Sequence, residues 1–137
     1  MKTLIIFPKD PTTTFLTRIY KNLTNITVIT GGVTKDQLRK YIQDHDRVIC
    51  CGHGSPSGLF GVGQFNSEDT YIIDESMVEL LRNKTNICIW CFAKQFVKKH
   101  SLQGFATDMY ISEVSEALCY DFYDIDDLDI LIEESNF

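Results

Sequence analysis

Arg47-Val48-Ile49-Cys50-Cys51-Gly52-His53-Gly54-Ser55-Pro56-Ser57-Gly58 and Asn86-Ile87-Cys88-Ile89-Trp90-Cys91-Phe92-Ala93 decide how this chain folds. Each is a short apolar run that stops at a reactive side chain. Such runs, rich in β-branched residues and bounded by polar or turn residues, read as buried strands. In an open parallel sheet, ligands and chemistry collect outside the carboxyl ends of the strands. His53 and Cys91 are both expected at that rim, on separate strands.

Upstream of the first run, residues 2–7 and 26–29 read as two further strands. Between them Asp10-Pro11 has the form of a helix start, an N-cap followed by proline at the first helical position. Phe15, Leu16, Ile19, Tyr20 and Leu23 then recur at helical spacing. Thr34-Lys-Asp-Gln37 has the form of a capping box, and Leu38, Tyr41 and Ile42 form the apolar stripe behind it. The order strand–helix–strand–helix–strand, with short links, predicts parallel crossovers. That is a mostly parallel sheet with helices on both faces, an α/β three-layer sandwich.

Past His53 the rhythm breaks. Residues 55–69 hold Pro56, Gly58, Gly61 and Gly63 and read as a long loop of the kind that carries function. Residues 70–73 read as a short extended piece, and Asp74 caps a helix with Met77, Val78 and Leu81 inward. Residues 92–100 read as a helix or helical turn and 108–111 as a fifth strand. Ser112 caps a helix through Val114, Ala117, Leu118 and Phe122, and 126–134 form a last short one. The whole of 1–137 reads as a single domain, with 121–137 an acidic C-terminal segment.

Composition narrows the function. Hydrophobic residues make up 44% and charged residues 23% of the 137, as in an ordinary globular domain. No apolar run nears the length of a membrane helix, and residues 4–7 are too short for a signal-peptide core. A cytoplasmic location and no membrane partner are expected, with thiols kept reduced. The net charge of −6 is uneven: all 13 basic residues lie in 1–100, whereas 101–137 hold ten acids and no Lys or Arg. No concentrated basic face is on offer, which argues against nucleic acid.

Of the five cysteines, Cys50, Cys51 and Cys88 lie within strands and Cys119 within a helix, where a thiol serves as a small hydrophobe. Cys91 ends its strand and precedes a helical start, where thiolate is favoured. The spacing lacks any zinc pattern, so no metal is expected. Cys88-Ile-Trp-Cys91 is a poor redox pair, because residues three apart on a strand face opposite ways. His45 and His100 fall in polar stretches and read as surface residues. Gly52-His-Gly54-Ser-Pro-Ser-Gly58 misses the dinucleotide spacing and lacks the Gly-Lys-Ser/Thr of a phosphate loop.

An apolar strand ending in His-Gly, followed by a second ending in Cys, resembles the caspase, legumain and gingipain superfamily of cysteine peptidases. The likeness covers roughly residues 1–112 and rests on Val48-Ile-Cys-Cys-Gly-His53-Gly54 and Ile87-Cys-Ile-Trp-Cys91. It implies a caspase-like fold with Cys91 as nucleophile and His53 as general acid/base. The backbone N–H groups of Gly54 and Cys91 would form the oxyanion hole, and no cofactor would be required. Trp90, where the family has a small residue, and Asp108 are expected at the substrate, a peptide or protein. Acids alone in 101–137 point to a basic residue before the scissile bond. Two other readings stand beside it: a catalytically silent caspase-like interaction domain, and a flavodoxin-like small-ligand binder. An unpaired edge strand would suit a homodimer.

Overall fold

Thr3–Ile6 (β1) is buried at every position, as a strand covered on both sides must be. It pairs in parallel with Ile26–Ile29 (β2) on one side and Arg47–Cys51 (β3) on the other. These elements belong to a computed structural model that describes residues 1–9, 11, 13–61, 65 and 70–107. Two more parallel partners, Thr85–Ile89 (β7) and Gly104–Ala106 (β8), complete a five-stranded sheet of order β2-β1-β3-β7-β8. Gly54–Ser55 (β4), Gly58–Phe60 (β5) and Tyr71–Ile73 (β6) form a separate three-stranded antiparallel sheet.

Strand alternation divides the core in two. Leu4, Ile6, Val48, Cys50 and Cys88 face the helices Lys35–Gln43 (α1), Val78–Leu81 (α2) and Ala93–Lys99 (α3), together with the small sheet. Ile5, Phe7, Ile49, Cys51, Ile87 and Ile89 face the other way, where Leu16 and Ile19 of a 3-10 helix, Thr14–Ile19, pack on them. The fold is thus a three-layer α/β sandwich around a parallel sheet. No helix among the described residues is long and apolar enough to cross a membrane.

The capping box of α1 forms as its sequence requires. Gln37 N donates to Thr34 Oγ1 at 3.2 Å, and Thr34 N donates to Gln37 Oε1 at 2.9 Å. Asp74 caps the short 3-10 turn Glu75–Met77 that leads into α2, accepting from Ser76 N. The same carboxylate meets Lys35 Nζ at 2.6 Å, tying the first turn of α1 to the end of β6. Burial works to raise the Asp74 carboxyl. The Lys35 ammonium and the Ser76 hydroxyl and N–H outweigh it, leaving the net value below the ordinary aspartate range.

Three local expectations are corrected. The stretch after Pro11 makes a 3-10 helix, not an α-helix. Its threonines are β-branched and poor helix formers, and Thr17 Oγ1 turns back onto Thr14 O at 2.7 Å. The stretch after His53 is no open loop at its start but a hairpin, with Pro56-Ser57 as its two-residue turn. The fifth strand of the parallel sheet, only three residues long, is Gly104–Ala106, where no strand is expected. The Asp10 cap, the Phe15 side chain and every element expected in 108–137 lie outside the described residues.

Asn86 holds the last corner of the sheet together. It is buried, and its Nδ2 donates toward the carbonyls of Leu81, Lys84 and Gln103 at 2.9, 3.1 and 3.1 Å. Its backbone N–H donates to Gln103 O at 3.0 Å, so α2, β7 and the approach to β8 meet at one residue. We expect Asn86→Ala to lower unfolding stability by about 2–3 kcal/mol in a denaturant titration. Asn86→Asp should cost more, because an acceptor-only carboxylate would then confront three carbonyl oxygens.

Candidate active site

The register of β3 on β7 places the two reactive residues. From Arg47↔Thr85 to Cys51↔Ile89 each residue of β3 faces the one 38 positions later. Gly52 N carries the ladder one step further by donating to Ile89 O at 3.0 Å. His53 and Cys91 keep the same offset, two positions beyond the last pair, at the carboxyl rim of adjacent strands. Parallel neighbours stand about 4.8 Å apart. The two residues thus follow the last paired rung of adjacent strands by the same number of positions.

His53 is held from both sides. Its predecessor Gly52 is tied to β7, and its own carbonyl accepts from Phe60 N at 2.8 Å. The step between them is a sharp turn that takes Gly52 to φ +147°, a conformation that side-chain-bearing residues rarely adopt. The His53–Phe60 bond leaves Gly54, opposite Leu59, at a non-hydrogen-bonded position of the pair. Its N–H thus points away from β5.

Cys91 is not the last residue of its strand, as expected, but lies in a turn two residues past the end of β7. Ala93 N donates to Trp90 O at 3.1 Å and closes that turn around Cys91 and Phe92. Phe92 takes φ +64°, a left-handed conformation uncommon for a bulky residue. Helix α3 begins only at Ala93.

Among the four described cysteines, Cys50, Cys51 and Cys88 are buried and Cys91 alone is partly exposed. The Cys50 thiol is held well above its ordinary pKa by a hydrogen bond with Cys88, its register partner, and by burial. Burial likewise pushes Cys51 up. These three are packing residues, as their positions in the strands suggested.

Trp90, next to Cys91 in sequence, is a core residue. Its indole is fully buried, turned toward α3, with its ring 5.6 Å from that of Phe96. Nε1 donates to Ser55 O at 2.8 Å. The expected contact with substrate gives way to a packing role beneath the hairpin. The ring also explains the second glycine of the His-Gly pair. A Cβ on Gly54 would stand 2.3 Å from Trp90 Cδ1 and 2.4 Å from Gly58 O. Asp108, the other expected substrate residue, lies outside the described residues.

His45 is corrected as well: it is buried, not on the surface. Nδ1 donates to Tyr41 O at 2.6 Å, and Nε2 lies 3.0 Å from Thr27 Oγ1, joining α1 to β2. His100 is half-buried with its ring on Phe96. It helps line an open polar cleft of about 380 Å³ with Ser57, Tyr71, Asp74 and Lys99, which neither His53 nor Cys91 enters. No group of three or more His, Cys, Asp or Glu among the described residues is arranged to hold a metal.

Comparison with known protein families, with curated proteins and with solved structures found no match for this chain.

Because the Trp90 ring and the Gly58 carbonyl leave no room at Gly54, Gly54→Ala should destabilise the fold by about 3 kcal/mol or more. A chemical denaturation midpoint within experimental scatter of the wild type would show that the indole is not packed there.

Proposed function

We propose that this chain is a cysteine peptidase, cleaving peptide bonds through a thioester on Cys91. The observation that carries the reading is the common offset of His53 and Cys91 in the β3–β7 ladder. It is supported by burial, since Cys91 is the partly exposed residue among the four described cysteines. A thiol with an adjacent imidazole is the minimum set for nucleophilic cysteine chemistry.

In this mechanism the Cys91 thiolate attacks the scissile carbonyl carbon, and the carbonyl electrons collect on oxygen. The N–H groups of Gly54 and Cys91 are the donors proposed for that oxyanion. Collapse breaks the C–N bond as His53 protonates the departing amine, leaving the acyl group on sulfur. A water then attacks the thioester, giving a proton to His53, and the released acid restores the thiolate. Nothing in this sequence calls for a metal or an organic cofactor. The substrate is a peptide or protein in the cytoplasm. A basic residue before the scissile bond is the preferred side chain, since the ten acids of 101–137 are unopposed by any Lys or Arg.

Iodoacetamide should alkylate Cys91 at least about tenfold faster than any other cysteine, as read by mass spectrometry of peptides from the native protein. His53→Ala should slow that reaction about 100-fold. Uniform labelling, or a rate indifferent to His53, would remove the dyad. For specificity, fluorogenic peptides ending in Arg or Lys should be hydrolysed ahead of Asp-directed ones. The reverse order would end the proposed preference for basic residues.

A further inference from the structure

The turn that presents Cys91 is strained and needs an external hold. Left-handed backbone costs a residue with a side chain about 1–2 kcal/mol, and Phe92 adopts it immediately after Cys91. Such conformations persist only where the surroundings over-determine them. The turn's own closing bond, Ala93 N to Trp90 O at 3.1 Å, shares its acceptor.

The other donor to that acceptor is Thr107. Its Oγ1 donates to Trp90 O at 2.7 Å, at the entry to the turn. Its carbonyl accepts from Lys94 N, also at 2.7 Å, just past the exit. Its N–H donates to Cys88 O at 3.1 Å, which extends the β7–β8 ladder and fixes Thr107 beside the strand that leads into the turn. One residue thus grips the Cys91 turn before and after the cysteine with its hydroxyl and carbonyl, while its N–H anchors it to β7. Two of those contacts need only a backbone. The hydroxyl contact is the one that the side chain decides.

We propose that Thr107 is a positioning residue for Cys91, its hydroxyl holding the Trp90–Ala93 turn so that the thiol stays aligned with His53. The assignment rests on the Cys91–His53 reading above and adds to it a residue from a third strand end. It also explains why β8, at three residues, is long enough: its service to the site is delivered just past its last paired residue, Ala106.

The test uses the full chain and the alkylation of each cysteine by iodoacetamide. Thr107→Val keeps the shape and both backbone contacts but removes the hydroxyl. It should slow Cys91 labelling at least about fivefold, misplacement of a reacting group being costly in rate. Cys50, Cys51 and Cys88 should stay as protected as in the wild type. Thr107→Ser, which restores the hydroxyl, should recover most of the wild-type rate. A mere loosening of the fold would do the opposite, raising the reactivity of the buried thiols. That outcome overturns the assignment. So does an unchanged Cys91 rate in Thr107→Val when wild-type Cys91 is labelled preferentially, and the dyad then survives without Thr107. If wild-type Cys91 is not labelled preferentially, the dyad fails first and this inference fails with it.

Discussion

Everything at the rim depends on the parallel ladder between β3 and β7. A parallel pair has one hydrogen-bond register and no hairpin to set it, so side-chain packing must choose it. Here the choice is made by Ile49 and Ile87 on one face and by Cys50 and Cys88 on the other, each directly opposite its partner. A slip of one residue would set Val48 or Cys50 on the wrong face for its neighbours. It would also carry Cys91 past His53. The small, buried thiols at the centre of the sheet are therefore part of what gives His53 and Cys91 their common offset.

Beyond the ladder the two strands leave the sheet by different routes, and Trp90 joins them again. β3 runs through the Gly52 turn into the hairpin, while β7 bends into the turn before α3. The indole of Trp90 lies under Gly54 and bonds to Ser55 O, so the end of one strand supports the exit of the other. Ser55 continues the connection through its hydroxyl, 2.7 Å from Tyr71 OH, and Tyr71 stacks on Phe60. His53 is carried on a segment braced from below by an aromatic ring and from beyond by a three-stranded sheet. A residue placed between two glycines would otherwise have much backbone freedom to lose. This bracing supplies what its neighbours in sequence cannot.

The parts of the fold that were legible in the chain are those whose signals are local or repeated. β3 and the capping box of α1 fall at the expected residues because an apolar run and a reciprocal cap each declare their own ends. The hairpin after His53 has no sequence signal because β4 and β5 are two and three residues long, too short for alternation to register. The three-residue β8 escapes notice for the same reason. Its Gly104-Phe-Ala sequence is a weaker apolar signal than the residues that follow. His45 has the sequence setting of a surface residue, between Asp44 and Asp46, yet a carbonyl and a threonine hydroxyl on other elements satisfy its ring. Thr107 carries no signal in the sequence at all, since its value comes only from where β8 ends. Cys91 and His53 could be singled out because reactive residues at strand ends are few. Their shared offset could not be read until the register was known.

The sheet order also bears on the rival small-ligand reading. In the order β2-β1-β3-β7-β8 the direction of winding reverses between β1 and β3, and that is where doubly wound folds leave a crevice for a ligand. Here Pro8, at the carboxyl end of β1, is buried, and its ring and carbonyl lie within 3.5 and 3.7 Å of where a Cβ on Gly52 would stand. The ends of β1 and β3 are thus packed against each other at this point, which takes room from a nucleotide or flavin approaching the backbone there. His53 and Cys91 lie one strand over, between β3 and β7, where the sheet offers no reversal of winding. What that position offers is a histidine and a cysteine, each two residues past the last paired rung of neighbouring strands. Under the peptidase reading proposed above, an extended backbone laid across the strand ends would meet both residues.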